Sequence, residues 1–222
     1  MSIRLKTILF IGLTILVLIG VQLAVSQWIV LTNFVRLENQ HAVEDVSLIL
    51  EMLVDDQANL QAIAGDWAAW DDTYAFIAEP TQAYIQSNLV DETFSGLQIH
   101  VMVFLDSTGK VVYQKGFDLG TGQEVPVPAS LLEHLAPGSL LLQHSDPLTG
   151  QAGFVSLPEG LLMVSVMPIV TSQGEGPIRG TFVIGRYLDR SQVQRLADLS
   201  QLAITLLKPQ DPQIPPGLFM SP

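Results

Sequence analysis

Between Asp66 and Phe76 the chain reads DWAAWDDTYAF, which places two of its three Trp, one of its four Tyr and three Asp within eleven residues. At helical spacing Trp67, Trp70 and Tyr74 share one face. Asp66 and Asp71 flank that face on opposite sides, and Asp72 points nearly away from it. Ring faces attract a cation and carboxylates neutralise it, so such a set can wall a pocket for a cation or a polar small molecule. The same spacing also describes an ordinary core stripe with acids at its rim, and both readings stay open. Trp67, Trp70, Asp71 and Tyr74 are therefore ligand-binding candidates.

Two residues further along join them. His100 lies in an alternating stretch with Gln98, Met102 and Phe104, on a face that lines a pocket if it turns toward the helices. Arg186 belongs with Arg179, Arg190 and Arg195 to a C-terminal set of counter-charges for the acidic front half. It serves either as a bridge to Asp71 or Asp72 or as a binder of a ligand carboxylate.

Catalysis has weaker support. Asp66 and Asp71 do not converge as a general acid and base. His41, His100, His134 and His144 are scattered without metal-ligand spacing, and no Gly-rich phosphate loop precedes a helix. The expectation is a chain without catalytic residues, metal or cofactor.

Composition narrows the partners. The net charge is -12, and thirteen acids but no Lys or Arg lie between Leu37 and Gly109. That surface excludes nucleic acid, which needs clustered bases to displace counterions. It reads as a solvated face or as an attractor of cations. Without Cys there are no disulfides and no thiol chemistry.

The elements that position these residues begin with an apolar run. Ile8 to Val25 is interrupted only by Gly12, Thr14, Gly20 and Gln22, and with Trp28 following it is long enough to span a membrane. Arg4 and Lys6 upstream put the N-terminus in the cytoplasm. A cleaved signal peptide is the rival reading, with Ala24 and Ser26 as small residues. An uncleaved anchor is favoured because the apolar pattern runs on past Ser26.

The expected organisation is a cytoplasmic start at 1–6, a membrane helix at 7–30, a helical stalk at 31–64, a sensor domain at 65–207 and a Pro-rich tail or linker at 208–222. Val46, Ile49, Leu53, Asp56, Leu60, Ile63, Trp67, Trp70, Tyr74 and Ile77 repeat at alternating steps of three and four. This is a coiled-coil type of seam, which implies a homodimer with Asp56 setting register. One helix is expected to reach about Ile77, with Gly65 its weak point.

Pro80 ends that helix. Thr81 caps a short helix to Ser87, and Asp91 caps another turn. Strands follow at Leu97–Leu105, Lys110–Lys115, Leu140–Gln143, Gly153–Leu157, Leu161–Met167 and Arg179–Leu188, with one more at Ala203–Leu207. Gly116–Pro128 reads as a loop and Ser130–Leu135 as a short helix. Asp189 with Gln192 opens a helix to about Ser200 as a capping box. Helices first and turn-linked strands after make an α+β fold with a mainly antiparallel sheet.

These residues resemble a family. DWAAWDDTYAF, then Tyr84 and Asn88-Leu89, is similar to the signature of the fourth type of CHASE domain. Phe104–Gly109 with Lys110-Val111-Val112-Tyr113, Pro168-Ile169, Gly180 and Gly185-Arg186-Tyr187-Leu188-Asp189 follow in the expected order, so the resemblance spans about 40–200. It implies an extracytoplasmic sensor with a PAS-like sheet behind a long helix, in the inner (cytoplasmic) membrane. Such sensors sit upstream of diguanylate cyclase, phosphodiesterase or histidine kinase outputs and respond to a small molecule that the resemblance does not name. The alternative is a module that binds a partner protein through its acidic stalk and takes no small ligand.

Overall fold

The computed structural model describes residues 3–174 and 176–207, so the tail expected from 208 onward lies outside the described residues. The chain forms two compact units divided between Leu50 and Glu51. Helix α1, Ile3–Ala68, supplies all the described residues of the first unit and the opening turns of the second.

The first unit is an uninterrupted helix because no Pro precedes position 80 and its side chains suit helical backbone. Within it Phe10–Gln27 is long and apolar enough to cross a membrane, and Leu13, Leu16 and Leu23 are exposed. Thr7 and Thr14 turn their hydroxyls back onto the carbonyls of Ile3 and Phe10, each at 3.1 Å. Their polar groups are thereby satisfied inside the helix.

In the second unit Leu60, Ala64 and Ala68 recur every fourth residue and are buried, with Ile63 and Trp67 packed beside them. The helix passes Gly65 without a break and stops at Ala68, short of the expected Ile77. The reason lies across the fold. The Ala68 carbonyl, which another turn of helix would have used, accepts from Val170 N at 3.1 Å. Trp70 is then extended (φ -117°, ψ 130°), and α2, Asp71–Ala78, starts anew with two acids in its first turn, where a helix N-terminus favours them.

Helix α3, Gln82–Asn88, is capped by the Thr81 hydroxyl as expected. In α4, Asp91–Leu97, Val90 takes the cap position, and Asp91 lies inside the first turn with its carboxylate on Lys115 Nζ at 2.6 Å.

Six strands form one sheet: β1 Val101–Asp106, β2 Val111–Asp118, β3 Gln123–Val125, β4 Gln151–Leu157, β5 Gly160–Ile169 and β6 Gly180–Tyr187. Their order is β3-β2-β1-β6-β5-β4, and every pairing is antiparallel. Alternation along the central strands sends Met102, Phe104, Phe182 and Ile184 to the face covered by α1 to α4. Val101, Val103, Leu105 and Val183 go to the other face, which α5, Ala129–His134, covers with Leu131 and its neighbour Leu135. The stretch expected to have one apolar and one mixed face is thus buried on both.

Several local expectations are corrected. Leu97 closes α4, with Gln98 in the left-handed region (φ 53°), so β1 begins only at Val101. The 116–128 loop contains the end of β2 and all of β3. Leu140–Leu142 is a 3-10 turn, because the Ser139 hydroxyl takes Leu141 N and curls the chain. No strand forms at 203–207.

Helix α6, Arg190–Ser200, is capped by Asp189, whose Oδ1 accepts from Gln192 N at 2.9 Å. The Gln192 side chain does not return to the cap; its Oε1 accepts from Arg195 Nε at 3.2 Å and Nη2 at 3.0 Å. Arg195 also pairs with Asp56 of α1. The one polar position of the helical seam therefore has a partner within its own chain.

Candidate functional site

The structure distributes the sequence candidates over three places. At the α1–α2 junction Trp67 stacks on Phe182 (centroids 6.1 Å apart, 18° between planes) and meets Trp70 edge-on. Tyr74 lies under the Arg179 guanidinium at 3.6 Å and donates its hydroxyl to Pro177 O at 3.2 Å, while Arg179 Nη1 donates to Tyr74 O at 3.0 Å. Asp71 accepts from Ser172 N at 2.9 Å, and this backbone bond, with a second from the Ser172 hydroxyl, lowers its pKa. Thr73 and Tyr84 share a buried hydroxyl bond of 2.6 Å, and burial pushes the Tyr84 pKa up to about 12.

The aromatic-acidic segment is thus a clamp that fastens α2 to the connection between β5 and β6. Trp70, in the helix break, stays 37% exposed. It borders a groove of about 480 Å³ with Asp72, Glu79 and Tyr84, and one of about 410 Å³ with Asp66 and Thr93. The larger groove is walled by α2, α3 and the chain that joins them.

Arg186 is in a second place. It is buried, and it donates from Nε to Gln98 O at 2.7 Å and from Nη2 to Leu97 O at 3.0 Å. A cation at these carbonyls closes the C-terminus of α4. The bonds go to α4 rather than to Asp71 or Asp72, because Arg186 shares the helix-covered face with Phe182 and Ile184 but stands near the Tyr187 end of β6, whereas Asp71 is held at Ser172, beyond the Gly180 end of that strand. Burial lowers its pKa, and Asp56 opposes that shift.

His100 is in the third place, at the end of the sheet where β1 and β5 start and β2 and β6 finish. No residue of α1 lines the cavity it borders. It lines a cavity of about 410 Å³ with Phe117, Pro126, Glu159, Tyr187 and Asp189. Walls come from β1, β2, β3, the β4–β5 turn, β6 and the start of α6, a convergence of the kind that makes ligand sites.

His100 Nδ1 accepts from Tyr187 N at 3.2 Å, so the proton of the neutral ring sits on Nε2, which faces Asp189 Oδ2 at 3.6 Å. Burial holds the imidazole pKa below its ordinary value, against the pull of Asp189 and Asp118. Among the described residues the buried Tyr187 hydroxyl has no hydrogen-bond partner, and burial, helped by Glu159, pushes its pKa up to about 12. Gly116 brings β3 close on one side, since a Cβ there would stand 2.5 Å from Val125 O.

Sequence reasoning missed Tyr187, Glu159, Asp118 and Asp189 as members of this cavity. They come from separate elements without a shared local spacing. Asp189 carried one visible signal, its helix cap, and it performs that role as well.

At the opposite end of the sheet a cavity of about 270 Å³ is lined by Asp106, Ser139, Gln143, His144 and Thr181. His144 Nε2 lies 2.9 Å from Thr181 Oγ1, its Nδ1 is buried without a partner, and burial lowers its pKa.

Residues 52–207 match the model of the CHASE4 domain. The chain is 37% identical over 206 residues to the methanogenesis regulatory histidine kinase FilI of Methanothrix harundinacea (strain 6Ac), covering 93% of the chain and 23% of that relative's length. Among solved structures it is similar to the extracellular domain of the histidine kinase vpHK1S-Z8 (TM-score 0.51, 14% identity, 71% of this chain and 59% of that one). It is likewise similar to a domain of a sensory box/GGDEF family protein from Vibrio parahaemolyticus (TM-score 0.51, 13% identity, 71% and 62%). The last two are likenesses of fold.

Proposed function

The chain belongs to the CHASE4 domain family, a family of sensor domains, and on that premise we propose that it is the extracytoplasmic input module of a membrane receptor. Residues 7–30 cross the cytoplasmic membrane with the N-terminus inside. Residues 31–64 form a stalk whose last turns belong to the sensor core, and the domain to 207 binds a small molecule outside or in the periplasm. Binding shifts α1 against α6, and the stalk carries the shift to an output in the same receptor. Kinase output is favoured by similarity to part of a histidine kinase over 93% of the chain. Signalling requires a homodimer through the stalk, where Val46, Leu50 and Val54 are exposed apolar residues.

The observation that carries this reading is the cavity at the His100 end, walled by many elements and bordered by the cap of α6. A thermal-shift screen of metabolites against the whole chain in detergent tests it. Reproducible, saturable stabilisation by a metabolite is expected, because a ligand that binds only the folded state raises Tm. A chain that no metabolite stabilises but a partner protein does would instead be the partner-binding module.

A further inference from the structure

We propose that the cavity at the His100 end of the sheet binds a primary-amine cation carrying an apolar body. The assignment rests on the reading of the chain as a small-molecule sensor and names the ligand class. Three independent features point the same way.

The first is the wall. Val101, Phe117, Pro126 and Leu188 give the cavity an apolar lining, and about 410 Å³ accommodates a ring or a branched chain.

The second is charge. Asp118, Glu159 and Asp189 stand in the lining, and no Lys or Arg does. The adjacent base, Lys115, is occupied with Leu89 O at 3.0 Å and Asp91 at 2.6 Å. An anionic ligand would meet three carboxylates against the single charge of Arg186, which acts on His100 from outside the lining and is held by the Leu97 and Gln98 carbonyls, whereas a cation is drawn in.

The third is unspent hydrogen-bonding capacity. His100 is only 7% exposed and turns its Nε2–H toward Asp189 Oδ2 at 3.6 Å, a separation that leaves this oxygen room for a second, closer donor. Asp189 spends Oδ1 on the Ser191 hydroxyl at 2.6 Å and on Gln192 N, while Oδ2 is turned toward His100. An ammonium has three donors and no acceptor. Seated at Asp189 Oδ2, it completes that carboxylate, and the Phe117 and Tyr187 rings in the same lining suit a cation. Because Asp189 caps α6, the ammonium also lies beside the first turn of that helix, which Arg195 ties to Asp56 of α1.

The probe is 2-phenylethylamine, titrated into the whole chain in detergent and followed by calorimetry and Tm. Its neutral isostere 2-phenylethanol and the anion phenylacetate serve as comparisons. Saturable binding of the amine alone is expected. Asp189→Asn keeps a good helix cap while removing the charge, so this variant should fold normally and bind the amine roughly tenfold more weakly or worse. Asp72→Asn, at the Trp70 groove, should bind like the wild type.

Equal binding of amine and alcohol, an unaffected Asp189→Asn, loss of binding in Asp72→Asn, or no saturable response up to about 10 mM amine would each overturn the assignment. Those results leave the sensor reading intact if another metabolite stabilises the chain. If the amine binds through Asp189 but the distance between α1 and α6 does not change, the site stands and the sensor reading falls.

Discussion

The α1–α2 junction and the His100 end of the sheet hold the same kinds of residue and use them differently. At the junction the rings and polar groups are committed within the fold: Trp67 to Phe182, Tyr74 to Arg179 and Pro177, Thr73 to Tyr84, Asp71 to Ser172. At the sheet end His100, Tyr187 and Asp189 converge on a cavity, and Asp189 Oδ2 faces His100 Nε2 at 3.6 Å with room for a further donor. In this chain the dense run of aromatic and acidic residues fastens α2 to the connection between β5 and β6, and the proposed binding site gathers single residues from distant segments.

Substitutions can break or sharpen this contrast. The largest effect belongs to Phe76→Ala. Phe76 is 2% exposed and packs on Tyr84, Phe104 and Tyr113, so its truncation should cost about 3–5 kcal/mol in urea unfolding. A cost comparable to that of an exposed site would break the picture of a committed aromatic layer.

Next comes Arg186→Gln, which strands the Leu97 and Gln98 carbonyls and should cost on the order of 2–3 kcal/mol while leaving binding of any ligand at the sheet end unchanged. Ligand loss in a folded Arg186→Gln protein would move Arg186 into the binding site. The Thr73→Val and Tyr84→Phe pair should show a coupling of about 1 kcal/mol in a double-mutant cycle.

Acid should separate the regions too. Burial holds the pKa of His100 and of His144 below the ordinary 6.5, so the folded state favours both neutral rings and the unfolded chain binds more protons below that pH. The stability they contribute is present above pH 6.5 and is lost as pH falls through their folded values. Urea midpoints from pH 7.5 to 5, roughly spanning that window, should fall with pH in the wild type and flatten in a His100→Gln/His144→Gln double variant. At the small end, Tyr187→Phe removes a hydroxyl without a partner and should leave stability unchanged or slightly raised. Asp71→Asn, at an exposed carboxylate, should not move the midpoint measurably.

What was legible in the sequence follows from how local its physics is. The apolar run at Ile8–Val25, the Thr81 and Asp189 caps and the alternation through Val101–Leu105 are set by near neighbours, and the helices and most strands appear where those patterns place them. The end of α1 was not legible, because a tertiary bond from Val170 to the Ala68 carbonyl decides it. Asp56 read as a register residue of a helix pair, yet its partner Arg195 lies 139 residues away. The site shows the same limit. His100 stood out by type, whereas Glu159, Tyr187 and Asp189 join it only through strand order. Arg186 looked like a counter-charge for Asp71 or Asp72, but its place at the far end of β6 sets it beside the end of α4, while Asp71 is held near the start of that strand.

The central claim is that ligand binding at the His100 end moves α6 relative to α1. The chain has no Cys, so labels at Ala58→Cys on α1 and Leu199→Cys on α6, both exposed positions, report one distance without interference. Pulsed electron paramagnetic resonance on the whole chain, with and without saturating 2-phenylethylamine, should show a shifted distance distribution that Asp189→Asn abolishes. An unchanged distribution at saturation would contradict the account.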